Sequence, residues 1–306
     1  VSAVAPFGRL SRIADGVYAY VQAPGGWCLN NAGLVVGAGA SVLVDTAATA
    51  SRTAHLADQV DAVTGDGPDW VINTHFHGDH VFGNGRFTPR ATVVAHEGTR
   101  ADMAEAGLGL RGLWPDVAWG DTPLTLPTLT YRTDLTLRLG AAGPRVELLP
   151  VGPAHTATDT AVWVPDAEVL FTGDVVWSGV TPYVLMGSVE GSLSALARLR
   201  ALRPRVVVPG HGAVGGPELL DRTEEYLRWC LRLAEDGLAA GLAPLDAARR
   251  AAPGPYRALV DPERLVGNLH RAYAELEGLP PGARIDVAGS FQEMCVLHGG
   301  LPECRA

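Results

Sequence analysis

Apolar residues along the first half of the chain fall in short runs broken by glycine, so positions 17–21, 32–36 and 41–44 read as strands joined by tight turns. Between 51 and 63 the period changes, with Ala54, Leu56, Ala57, Val60 and Val63 at helical spacing. A strand at 69–73 follows, then a strand at 91–95 and a helix at 99–106. The rhythm restarts with strands at 135–139, 146–150, 161–164 and 169–171. Leu193, Leu196, Ala197 and Leu199, behind a serine, predict a capped amphipathic helix over 192–202, and 205–210 is a β-branched strand. Past Gly216 the pattern is helical at 217–234, 244–251 and 262–277, the first and third with proline at the helical start. Two strand-rich halves, each with helices and without a tandem repeat, predict an α/β (α+β) architecture of two packed sheets flanked by helices.

Composition narrows the partners. A formal charge of -9 offers no basic track for nucleic acid or an anionic membrane, and all 24 basic residues are arginine. No run of about 18 apolar residues occurs, and the N-terminus VSAVAPFGRL lacks a basic segment followed by an apolar one. Cys28, Cys230, Cys295 and Cys304 form no C-x-x-C pair, which argues against a zinc knuckle or redox dithiol and leaves a Cys295–Cys304 bridge open. A soluble, reduced, cytoplasmic protein is expected, with a small-molecule partner.

Five short polar segments stand at the ends of these strands. They are Asp45 in VLVDT, the cluster His75, His77, Asp79 and His80 in NTHFHGDH, His155 in GPAHTATD, Asp174 in FTGD and His211 in PGHG. Each projects from the same edge of the predicted sheets. Imidazole nitrogen and carboxylate oxygen are ligands for zinc and similar divalent ions. Apart from Asp45 there are too many of them for one tetrahedral ion with an open position, and two ions roughly 3.5 to 4 Å apart accommodate them better. The H-x-H-x-D-H spacing differs from the i, i+4 helical pair of zinc proteases, so a loop is expected, bent sharply at Gly78. His55, His270 and His298 are assigned packing or surface roles, and His96 a structural role beside a helix cap. Trp27, Trp114, Trp119, Trp177, Tyr183 and Met186 lie in Gly/Pro-rich loops near the same edge, where they could line a wide pocket for a flat substrate or serve the core or a homodimer interface.

With these motifs in order, the sequence resembles the metallo-β-lactamase fold superfamily of αββα-sandwich hydrolases. The resemblance implies that His75, His77 and His155 bind one metal, that Asp79, His80 and His211 bind the second, that Asp174 bridges, and that Asp45 holds the metal loop by hydrogen bonds. Two zinc ions are implied, with iron or manganese as alternatives. Ala154 stands where relatives commonly have glycine before the histidine. A core over residues 1–215 is expected, with C-terminal helices and tail over 216–306 packed on it. The resemblance further implies a water made nucleophilic by the metals, attack on a thioester or lactone carbonyl, and Asp79 steering the proton. The stretches GGWCLNNAGLVV, PYVLMGSVEGSL and NLHRAYAELEG look like second-ring cyclases with thioesterase activity from aromatic polyketide pathways, of the actinorhodin type, which implies a carrier-protein-bound substrate. A glyoxalase II or lactonase type hydrolase is the alternative, and an iron persulfide dioxygenase the second. A nuclease of this fold is disfavoured by the acidic charge.

Overall fold

The computed structural model describes residues 6–88, 90–251 and 254–306. The leader reading therefore rests partly on positions 1–5, which lie outside the described residues. Strands β1 (Arg9–Ala14), β2 (Val17–Val21), β3 (Ala32–Val36), β4 (Ser41–Val44), β5 (Trp70–Ile72), β6 (Thr92–His96) and β7 (Leu129–Tyr131) form one sheet in sequence order. It is antiparallel from β1 to β4 and parallel from β4 to β7. A second sheet runs β13-β11-β10-β9-β8, built from β8 (Leu135–Arg138), β9 (Arg145–Pro150), β10 (Thr160–Val164), β11 (Val169–Phe171) and β13 (Val206–Val208). The short β12 (Trp177–Ser178) and β14 (His211–Gly212) pair in parallel beside it.

Strand alternation explains how the layers meet, since successive side chains face opposite ways. Val35, Val42, Val44, Ile72 and Val94 turn inward and pack against Leu148, Val162, Val164, Val169, Phe171 and Val208 of the second sheet. Their neighbours Leu34, Leu43, Val71 and Val93 turn outward, where Leu56, Ala57 and Val60 of helix α1 (Ala50–Thr64) cover them. On the opposite outer face Ala161, Trp163, Leu170 and Val207 carry Leu196 and Leu199 of α5 (Val189–Ala201) and Leu219, Leu220 and Leu227 of α6 (Glu218–Ala239). The layering is thus αββα. Inside the first half lie the short α2 (Gly78–Val81) and α3 (Asn84–Phe87), then α4 (Glu97–Ala106). After α6 come α7 (Pro244–Ala251), α8 (Arg264–Leu276) and α9 (Val287–His298).

Three expectations change. Pro217 is the cap residue before α6 and Glu263, not Pro262, caps α8, so of the three C-terminal prolines only Pro244 opens its helix. The tail beyond 277 holds a full helix, α9, started by the Asp286 side chain accepting from the Gly289 amide. All four cysteines are free thiols, with Cys304 beside Cys28 and no bridge to Cys295. Among the described residues no helix is long and apolar enough to cross a membrane.

Candidate metal centre

Each polar segment follows a strand end, and the sandwich brings those ends together. His75, His77, His155 and Asp174 form one group with ligand atoms within 4.8 Å of one another, and Asp79, His80 and His211 form a second. Asp174 faces both groups. Its Oδ2 lies 3.4 Å from Nε2 of His155 and 3.4 Å from Nε2 of His211, while its Oδ1 lies 3.2 Å from Nε2 of His80. His211 Nε2 is also 3.3 Å from Asp79 Oδ2.

The loop expected between 75 and 80 is only half a loop. His77 caps α2, and Asp79 and His80 belong to its single helical turn. Gly78 keeps an ordinary negative φ, and what excludes a side chain there is the Phe82 ring, 2.3 Å from where a Cβ would sit. The sharp bend is therefore a helix start rather than a glycine-only conformation.

Around the cluster, four of the five rings have their outer nitrogen fixed. Nδ1 of His80 is 2.8 Å from Asp45 Oδ2, Nδ1 of His211 is 2.9 Å from the Gly25 carbonyl, Nδ1 of His75 is 3.0 Å from Thr74 Oγ1, and Nδ1 of His155 contacts the Tyr183 carbonyl. These bonds aim four Nε2 atoms inward and set the ring tautomer, the arrangement that raises ligand basicity in metal sites. Asp45 itself has φ of 60° and also accepts from the Thr74 amide at 2.8 Å and the Thr74 hydroxyl at 2.7 Å. Buried Asp159, in the same motif as His155, does likewise for that loop. It accepts from the Ala154 and Thr156 amides and the Thr156 hydroxyl, while burial pushes its pKa up to about 7.

The donor set fits divalent ions on an independent ground. Nε2 of His75, His77 and His80 and Oδ1 of Asp174 are buried without a hydrogen-bond partner, which is costly unless something else satisfies them. His80 and Asp174 are close but not aligned to bond, and His77 Nδ1 crowds His155 Nε2 at 2.8 Å. Burial, helped by neighbouring imidazoles, lowers the pKa of His75 and brings that of His77 down to about 3, and burial also lowers His155. Those three rings are neutral and free to ligate. Burial opposes charge at His80 and His211 too, but Asp174 and Asp79 overcome it, so His80 is raised and His211 reaches about 9. Metal must displace protons from these two.

Over the cluster opens a cavity of about 440 Å³ that His77, Asp79, His155, Asp174 and His211 line. Trp27, Trp177, Tyr183 and Met186 form its wall, the first of the roles left open for them. Trp114 stands behind them against Trp27 and Phe291, and Trp119 is buried away from it, its Nε1 donating to the Trp114 carbonyl. The buried Arg264 guanidinium sits 4.1 Å from the Trp27 ring and 4.7 Å from Trp177, bonded to Asp261 at 2.8 Å, and Trp177 stacks on His211 at 4.7 Å. Arg264, Phe291 and Gln292 are lining residues that sequence reasoning missed. Only the Asp286 cap signal could have pointed to α9, because its apolar residues show little helical periodicity. His96 caps α4, as a structural role requires, and His55, His270 and His298 contact Gly8, Glu293 and Glu263 away from the cluster.

Similar proteins agree with this architecture. The family model for the metallo-beta-lactamase superfamily matches residues 25–211. The metallo-beta-lactamase type 2 of Bacteroides fragilis is 24% identical over 229 residues, covering 71% of this chain and 84% of that protein. A hydroxyacylglutathione hydrolase of Methylococcus capsulatus is 33% identical over 134 residues, 43% of each chain. The solved metallo-beta-lactamase from Pontibacter korlensis superposes with a TM-score of 0.60 at 23% identity, over 72% of this chain and 99% of that one. Fold, motif order and a family match spanning more than half of its residues agree, and the chain belongs to the metallo-beta-lactamase superfamily of metal-dependent hydrolases.

Proposed function

We propose that the chain is a dinuclear zinc thioesterase acting on bulky apolar acyl groups, in its finest form a thioesterase and ring cyclase for a carrier-bound aromatic polyketide. The observation that carries the dinuclear part is Asp174, whose Oδ2 stands between His155 of one ligand group and His211 of the other while its Oδ1 faces His80 of the second. His75, His77 and His155 would hold the first ion and Asp79, His80 and His211 the second, with Asp174 shared. When bound, such a pair supplies water of lowered pKa and polarises a carbonyl oxygen.

The chain's own residues do the rest. Burial favours a protonated Asp79, but His80 and His211 hold its pKa down to about 2, so at neutral pH it is a proton acceptor facing the cavity. It would orient the attacking water and take up its proton. Trp27, Trp177, Tyr183 and Phe291 give the acyl group a water-excluding wall, and Arg264 fixes two of those rings. The aromatic lining supports a flat acyl group over a hydrophilic one.

A second reading, a hydrolase for glutathione thioesters, is favoured by the similarity to the Methylococcus capsulatus protein. A mononuclear iron oxygenase would leave the ligand group Asp79, His80 and His211 without a purpose. Elemental analysis and product mass spectrometry test all three. Zinc-loaded protein is expected to turn over a carrier-bound aromatic acyl thioester faster than a glutathione thioester or a lactone. Rapid turnover of only the latter two, or a single tightly held iron, would overturn the proposal.

A further inference from the structure

Trp177 and His211 are Cα partners across the parallel β12–β14 pair, which puts their side chains on one face, and their rings stack 4.7 Å apart at an interplanar angle of 16°. The His211 ring needs that contact. Its hydrogen bond from Nδ1 to the Gly25 carbonyl, at 2.9 Å, aims Nε2 inward but lets the ring plane pivot about the bond. No hydrogen bond fixes the indole in turn, because Trp177 Nε1 is buried without a partner. What Trp177 supplies here is its flat face, not its N–H.

That face is held from α8. Arg264 Cζ lies 4.7 Å from the Trp177 ring, and the guanidinium is itself pinned, Nη1 donating to the Thr181 carbonyl at 3.2 Å and Nη2 standing 2.8 Å from Asp261 Oδ2. Val260, just ahead of α8, donates to the Gly179 carbonyl at 3.0 Å and accepts from the Thr181 amide at 2.9 Å, so the segment after β12 is clamped to the start of that helix. A continuous chain of contacts therefore runs from α8 through Trp177 to His211. The indole also meets His155 of the first ligand group, but edge-on at 5.7 Å, and that ring is already flanked by His75 at 4.8 Å and His77 at 4.7 Å. His211 has a looser second neighbour, His80, tilted at 5.5 Å. Of the two ligand groups, the second depends more on the indole.

We infer that Trp177 and Arg264 are positioning residues for the second ion, Arg264 holding the indole and the indole holding the plane of the His211 ring. The inference rests on the dinuclear reading and can be separated from it. Zinc titrated into the metal-free full chain against a chromophoric chelator gives the stepwise binding constants, and anomalous scattering at the zinc edge shows which ligand group empties. Trp177→Leu should weaken the ion held by Asp79, His80 and His211 at least about tenfold more than the other. Trp177→Phe, which keeps a flat ring and removes the unpaired N–H, should restore most of that loss. Arg264→Gln should follow Trp177→Leu, and either variant decides the question if the other does not fold, as judged by the melting temperature of the metal-free protein. Equal weakening of both ions, no weakening, or the same loss in Trp177→Phe as in Trp177→Leu overturns the inference while leaving the dinuclear reading in place. A single ion bound by the unaltered chain would remove that reading, and this inference with it.

Discussion

Asp45 shows how much one side chain outside the ligand set can decide. It accepts from the Thr74 amide and hydroxyl and from His80 Nδ1, tying β4 to the segment after β5 while fixing one inward ring. Removing such a partner costs ligand orientation rather than a ligand, so Asp45→Asn should weaken zinc affinity by about 10–100-fold with the fold kept, measurable by competition with a chromophoric chelator. Asp174→Ala should go further, abolishing turnover and lowering the metal content, because both groups lose a shared oxygen. The protons on the empty site set a pH dependence of known sign. His211 is raised from its ordinary value to about 9, so in the metal-free protein its charged pairing with Asp79 and Asp174 stabilises fully below pH 6.5 and is lost as pH climbs through about 9. Metal competes with that proton, and apparent zinc affinity should therefore rise steadily from pH 6.5 to 8.5. A flat profile would show that His211 is not displaced from its proton by metal.

At the scale of elements, the close approach between the end of β13 and the turn at Asp174 depends on Gly210. A Cβ there would stand 1.9 Å from Asp174 Oδ1 and 2.7 Å from the Gly173 carbonyl carbon, with backbone on one side and a candidate ligand on the other. Gly210→Ala should push Asp174 away, reducing zinc content and activity together, whereas exposed Gly39, Gly109 and Gly112, with open space where a Cβ would go and no positive φ, would tolerate the change. The tail presents a different case, a segment anchored by side chains from distant elements. Trp114 Nε1 donates to the Pro302 carbonyl at 2.7 Å and the Arg52 guanidinium to the Arg305 carbonyl at 2.8 Å, with Cys304 against Cys28 between them. Trp114→Phe keeps the ring but leaves that carbonyl unpaired, a cost of about 1–3 kcal/mol. Faster amide exchange confined to residues 299–306 is the expected readout.

On the scale of the whole molecule the seven candidate ligands all lie within the stretch shared with the superfamily, while part of the cavity wall does not. Arg264, Val287, Ala288, Phe291 and Gln292 come from α8 and α9, past the family match that ends at residue 211. The candidate ligands and the C-terminal part of the cavity wall thus come from different parts of the fold. Phe291→Ala should raise KM for a bulky aromatic acyl thioester and leave zinc content unchanged. Metal binding should also couple to global stability. At free zinc about one hundred times its Kd, each site adds about 2.7 kcal/mol relative to chelator-treated protein, read as a fall in melting temperature on chelation.

The strand periodicity at 17–21, 32–36 and 41–44 is reproduced by the folded chain, because those runs are buried on both faces and nothing nonlocal competes with them. The polar segments were equally legible: a histidine cluster after an apolar strand has few uses other than metal, and the fold brings its expected companions Asp174 and His211 to it. Hidden from the sequence were features that depend on contacts between distant segments. β1 and β7 are partly exposed edge strands that gave no clear alternation, and α9 is not recognisable as a cavity wall until the chain is folded. The role of Gly78 depended on the position of the Phe82 ring, and that of Arg264 on Trp27 from the first strands and Trp177 from mid-chain both reaching it. Residue chemistry and local period thus determined the layers and the candidate ligands. Which atoms face inward and what walls the cavity were decided only by tertiary packing, since each is a relation between segments separated by tens to hundreds of residues.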